Sequence, residues 1–224
     1  NLAELTGKPF CEEQLREIIR VENETRKELK TFFRHQKERH YPAELVSHLY
    51  LMMGMHLLIG SREFLDLIRF MNDEISQAPS FEGTKIMWVH LIPFYQETLK
   101  KYFNSSSDYQ IVATDMSLDF AEMLDEDHPF EALAKKTIRN LFNGSYDQKS
   151  RRLAQMASEL RPDAVINFCH WGCKQAFGGS MLLKEKMQEL GIPMINLDGD
   201  GIDKRNSHDG QIKTRLEAFL EMIK

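Results

Sequence analysis

The chain has 224 residues, 42% hydrophobic and 28% charged, which is enough for one large domain or two small ones with a proper core. A formal charge of −5 and a pI near 5.9 argue against a nucleic-acid scaffold, which would carry a basic face. No apolar run approaches the ~18 residues that span a bilayer, and neither terminus reads as a secretory signal. The cysteines number three, too few and too odd for a disulfide framework, and fit a reducing cytoplasm.

Leu2 to Phe10 reads as a lead-in. Cys11 stands at a helix N-cap, with Glu12 and Glu13 in the first turn facing the positive end of the macrodipole. Leu15, Ile18, Ile19, Leu29, Phe32 and Phe33 recur at helical spacing, which predicts a helix over 12–37. Pro42 opens a second helix through about Ile59, and Ser61 caps a third bearing Phe64, Leu67, Ile68 and Met71. Gln77 to Gly83 lacks periodicity and holds Pro79 and Gly83, so a boundary is expected there. Residues 1–83 are thus a helical segment, and 84–224 a separate α/β domain.

From Lys85 the period changes. Ile86–Val89 and Tyr109–Ala113 read as buried strands, with a helix between them ending near Tyr102. Helices are expected over 129–142 and 147–160, separated by Asn143-Gly144. Ala164–Phe168 is a third strand, expected to stop before the irregular Cys169-His170-Trp171-Gly172-Cys173. Met181, Leu182, Leu183, Met187 and Leu190 mark a helix closed by Gly191 and Pro193, and Met194–Leu197 is the fourth strand. Ile212, Leu216, Phe219, Leu220 and Ile223 define the last helix. Strands alternating with helices imply an α/β fold: an N-terminal helical layer, then a four-stranded parallel, doubly wound, Rossmann-like sheet.

In such a sheet the C-terminal strand ends share one edge, where ligands bind. That edge would carry His90, Pro93, Asp115, the Cys169–Cys173 segment, Asp198, Asp200 and Asp203. Cys169 continues the strand and fits a core position. Cys173 precedes a helix whose terminal N–H groups favour anionic sulfur, so it is the better ligand or reactive thiol. His170 reads as a satisfied loop histidine or as a ligand. Gly178-Gly179-Ser180 would admit a phosphate or serve close packing, and matches no P-loop. The three aspartates lack calcium-loop spacing and suit capping.

His170-Trp171-Gly172-Cys173-Lys174-Gln175, Gly178-Gly179-Ser180, Gly191-Ile192-Pro193, Leu197-Asp198-Gly199-Asp200 and Asp203-Lys204-Arg205 together resemble the C-terminal part of the 2-hydroxyacyl-CoA dehydratase family. So do Gln211 to Phe219, and Leu5-Thr6-Gly7-Lys8 is similar to the segment leading out of that family's first domain. Benzoyl-CoA reductase subunits share much of the pattern. The resemblance implies one of two related subunits forming a heterodimer in an anaerobe, with a 4Fe-4S cluster held on cysteines. It implies an ATP-hydrolysing activator protein that delivers one electron to the acyl-CoA substrate. A ketyl radical anion then expels the 2-hydroxyl group, a β-proton is removed, the electron is returned, and an enoyl-CoA leaves. Cys173 matches the family's last cluster cysteine and is the expected metal ligand. Trp171 and Gly172 would shape the cluster's surroundings, with His90 and His170 as neighbours. The other ligands are expected in an N-terminal domain outside this chain, which reads as the C-terminal portion of a β-like subunit, inactive alone. The alternatives are a benzoyl-CoA-reductase-type subunit, a cluster-free binding module, or a thiol enzyme using Cys173.

Overall fold

The computed structural model describes residues 2–117 and 122–224. Within the lead-in stands a short helix α1 (Leu2–Thr6), which ends at Gly7, whose φ of 65° suits glycine. The long helix α2 (Glu12–Glu38) begins after Cys11, whose side chain makes no capping bond. Helix α3 (Leu45–Leu58) starts three residues after Pro42, and α4 (Arg62–Ser76) is capped by Ser61 Oγ, which accepts from Phe64 N–H at 3.3 Å. Leu29, Phe32 and Phe33 of α2 pack with Met55, Ile59, Phe64, Ile68 and Ile75 into one apolar cluster. This is the helical layer.

The α/β part runs β1 (Thr84–Val89), α5 (Glu97–Phe103), β2 (Tyr109–Thr114), α6 (Pro129–Ile138), α7 (Tyr146–Leu160), β3 (Ala164–His170), α8 (Lys174–Glu189), β4 (Met194–Gly199) and α9 (Asp209–Met222). The four strands pair in parallel in the order β2-β1-β3-β4. Side chains alternate across the sheet as the strand period demands. Ile86, Trp88, Ile166 and Phe168 face Leu99 and Phe103 of α5 and Leu216, Phe219 and Leu220 of α9. Met87, Val89 and Val165 face Leu153 and Ala157 of α7 and Leu183 and Met187 of α8. Helices therefore cover both faces, and the direction of winding reverses between β1 and β3. The helical layer meets the sheet at β2: Gln36 Nε2 donates to Ile111 O at 3.0 Å, and Gln110 Oε1 accepts from Tyr41 N–H at 2.7 Å.

Two element boundaries bear on function. Strand β3 continues through Cys169 and His170, because β4 runs on to Gly199 and keeps them paired, Cys169 with Asp198 and His170 with Gly199. The ladder overrides an irregular local sequence. Helix α8 likewise begins at Lys174, so Gly178-Gly179-Ser180 lies inside a helix. Its N–H groups belong to that ladder, which removes the phosphate-cradle reading. Gly179 serves packing instead, since a Cβ there would stand 2.0 Å from Tyr146 Cγ of α7.

Candidate functional site at the carboxyl edge of the sheet

Three residues, Trp171 to Cys173, join β3 to α8. Trp171 N–H donates to Gly199 O at 3.1 Å, and the residue is 51% exposed. A β-carbon at Gly172 would sit 2.8 Å from His170 Nε2, so glycine lets the turn close over that imidazole. Cys173 N–H bonds His170 O at 2.9 Å, and Cys173 Sγ caps α8 by accepting from Ala176 N–H at 3.4 Å. The thiol is half-buried at the mouth of the sheet. His170 Nδ1 accepts from Gly201 N–H at 3.0 Å, 3.8 Å from Asp200 Oδ1. It is a satisfied histidine that ties the β3 end to the loop after β4.

Cys169 is a core residue, 2% exposed, with Asn167 Nδ2 3.3 Å from its sulfur. Burial pushes its thiol up to about 11, so it stays protonated near neutrality. The three aspartates are spent on structure. Asp198 pairs with Arg215. Asp200 accepts from the N–H groups of Asp203 and Ile202 and from Asn206, bonds that hold its carboxyl down at about 2. Asp203 binds the backbone and side chain of Arg205. Among the described residues no group of three or more His, Cys, Asp and Glu side chains is disposed to hold a metal.

His90 directly follows β1 with a φ of 70°, left-handed backbone on a residue with a β-carbon. Its N–H donates to Asp115 Oδ1 at 2.7 Å, and the other carboxylate oxygen lies 2.8 Å from Lys149 Nζ. Asp115 and Lys149 are 1% and 3% exposed, a buried ion pair between β2's end and α7. Lys149 also sits 4.1 Å over the Phe142 ring. His90 Nδ1 is 3.1 Å from Phe168 O; a carbonyl only accepts, so Nδ1 carries the proton. Burial lowers the pKa of His90, against the raising field of Asp115, and Lys149 and His170 lower it further. The Tyr146 hydroxyl is buried without a hydrogen-bond partner among the described residues, and burial and the Asp115 charge push its pKa up.

The structure therefore brings His90, His170, Trp171, Gly172 and Cys173 to one edge, straddling the point where winding reverses. Asp115 was visible as an edge residue. Lys149 and Tyr146 were missed, although Tyr146, Lys149, Ser150, Leu153 and Ala157 form an i, i+3, i+4, i+7, i+11 stripe that puts a lysine among inward positions. A small cavity lined by Arg26, Met55, His56, Ile59, Met116, Ser117 and Lys136 lies against the helical layer, away from Cys173.

Fold and edge define an α/β protein whose winding reverses between β1 and β3, with a cysteine-capped helix starting at the carboxyl edge beside that point. The chain belongs to the family of the 2-hydroxyglutaryl-CoA dehydratase D-component, whose family model matches residues 1–223. It is 23% identical over 233 residues to the (R)-phenyllactyl-CoA dehydratase beta subunit of Clostridium sporogenes, covering 99% of this chain and 60% of that protein. It is 20% identical over 236 residues to the alpha subunit from the same organism, covering 99% and 56%. The chain thus spans less than two thirds of the length of these curated relatives. No helix among the described residues is long and apolar enough to cross a membrane.

An iron–sulfur cluster fits this chain through one donor. Cys173 offers soft sulfur at an open edge, whereas Cys169 is buried and protonated, and Cys11 is an exposed residue at the start of α2.

Proposed function

We propose that this chain is the C-terminal portion of a β-like subunit of an iron–sulfur 2-hydroxyacyl-CoA dehydratase. The observation that carries the reading is the match to the dehydratase family along nearly the entire chain, with Cys173 at the carboxyl edge where a doubly wound sheet takes its ligands. When bound, a 4Fe-4S cluster would supply a one-electron transfer that lets the substrate thioester lose its 2-hydroxyl group. The chain's own part is to hold Cys173 Sγ in one geometry at the head of α8. Trp171 and Gly172 shape the turn beside it, and His170 locks that turn to the loop after β4. The partner in this reading is the related subunit, as in relatives named alpha and beta, with an ATP-dependent activator as electron source. The setting is a cytoplasm without oxygen. The helical segment 1–83 would link to a preceding domain that carries the remaining ligands, leaving 84–224 as the α/β unit.

The test is an assay of the enzyme isolated without oxygen from its host, with activator, ATP and reductant, on (R)-phenyllactyl-CoA and on benzoyl-CoA. Enoyl-CoA formed from the first supports the reading. Ring reduction of the second alone replaces it with a benzoyl-CoA-reductase-type role. Turnover of neither, with no iron bound, leaves a cluster-free binding module.

A further inference from the structure

We propose that His90 is a hydrogen-bond acceptor for ligand at the switch point between β1 and β3, with Nε2 accepting from the 2-hydroxyl group of an acyl thioester. The proposal rests on the dehydratase reading for the identity of that thioester. Three structural features support it.

The first is backbone strain in a place where it has no local use. Of the three non-glycine residues with positive φ among the described residues, Arg161 closes helix α7 and Ser105 lies in the turn after α5, where left-handed residues are ordinary. His90 instead stands directly after the central strand β1, as the first residue of the loop, where such a conformation costs about 1–3 kcal/mol and persists only if the surroundings impose it. The second feature is what imposes it. The His90 N–H is held at 2.7 Å by Asp115, whose carboxylate is itself fixed at 2.8 Å by Lys149, both nearly inaccessible to water. Burying an ion pair is seldom a net source of stability, so its use here to aim one backbone N–H points to a positioned side chain.

The third feature is the tautomer. His90 Nδ1 donates across the switch point to Phe168 O of β3, which leaves Nε2 as a lone pair with no partner among the described residues. Burial, Lys149 and His170 lower the pKa of the ring, Asp115 and the Phe168 carbonyl raise it, and the net direction is down, which keeps it neutral near pH 7. A neutral acceptor at that point favours an O–H donor and offers nothing to the corresponding thioester without a hydroxyl.

The test compares binding of phenyllactyl-CoA and 3-phenylpropanoyl-CoA to the isolated enzyme, with lactyl-CoA and propanoyl-CoA as a smaller pair. The native protein is expected to favour each hydroxylated member by about tenfold, the scale of one neutral hydrogen bond. His90→Asn keeps a residue that tolerates the positive φ and should bring the ratio to about one while leaving the non-hydroxylated thioester within twofold. An undiminished ratio in that variant overturns the proposal. Equal binding of both members by the native protein overturns it alone, whereas binding of neither removes the dehydratase reading with it. Nitrogen-15 spectra of the histidine rings give a second check that needs no ligand. They should show His90 neutral and protonated at Nδ1; an Nε2–H tautomer contradicts the assignment even if the variant fails to fold.

Discussion

The ring of Tyr146 fills the space that a side chain at Gly179 would need: a β-carbon on Gly179 would stand 2.0 to 2.4 Å from three of its carbons. Helices α7 and α8 can approach only because position 179 has no side chain. Gly179→Ala should therefore destabilise the fold by about 1–3 kcal/mol through overpacking. At Gly178 a β-carbon meets nothing within 4 Å, and the residue lies exposed within α8. Gly178→Ala should be neutral or stabilise by up to about 1 kcal/mol, since alanine is the better helix former. Urea unfolding of the two variants checks the contrast, and equal effects would contradict the packing.

Lys149 and Asp115 form the most buried ion pair near the site, at 2.8 Å. Lys149→Met leaves an uncompensated carboxylate in the interior and should cost about 3–5 kcal/mol. Adding Asp115→Asn removes the orphan charge while keeping an oxygen for the His90 N–H, so the double variant should recover a clear part of the loss. A double-mutant cycle by chemical denaturation measures this coupling. Simple additivity would mean the pair does not act as a unit.

His48 of α3 is buried, which depresses its pKa to about 4 from an ordinary 6.5. Between those values the unfolded chain binds more protons than the folded one, so stability falls as pH falls. Lowering the pH from 7.5 to 4.5 should cost about 2–3 kcal/mol through this group. Comparison with His48→Gln isolates it: the variant's pH slope over this window should be shallower by that amount, and an identical slope would refute the assignment.

The three thiols should separate by reactivity. Cys11 is exposed and Cys173 half-buried, whereas Cys169 is buried and its thiol is pushed up to about 11. Because the free thiolate is the reactive form, iodoacetamide at pH 8 applied to the iron-free protein should label Cys11 and Cys173 and spare Cys169 until the protein unfolds. Peptide mass mapping reads the pattern. Labelling of Cys169 at the rate of Cys173 would contradict its placement.

Much of this fold is legible in the sequence because the sheet is buried on both faces. Runs such as Ile86–Val89 and Ala164–Phe168 have no other stable environment, and their alternation with amphipathic helices leaves few topologies. What escaped was set by partners distant in the chain. Cys169 and His170 stay extended because Asp198 and Gly199 pair with them, which no local pattern reports. Gly178-Gly179 reads as a loop until Tyr146 explains the second glycine. His90 was visible as a residue at an edge. Its strained backbone and fixed tautomer depend on Asp115 and Phe168, which lie 25 and 78 residues further along.

The central claim is that Cys173 holds iron. Its direct measurement is iron and acid-labile sulfide in the enzyme isolated without oxygen, native and Cys173→Ala, with Cys169→Ala as comparison. The account predicts that Cys173→Ala lowers both contents and bleaches the cluster's visible absorption, whereas Cys169→Ala retains them. Native iron and sulfide in Cys173→Ala would contradict it.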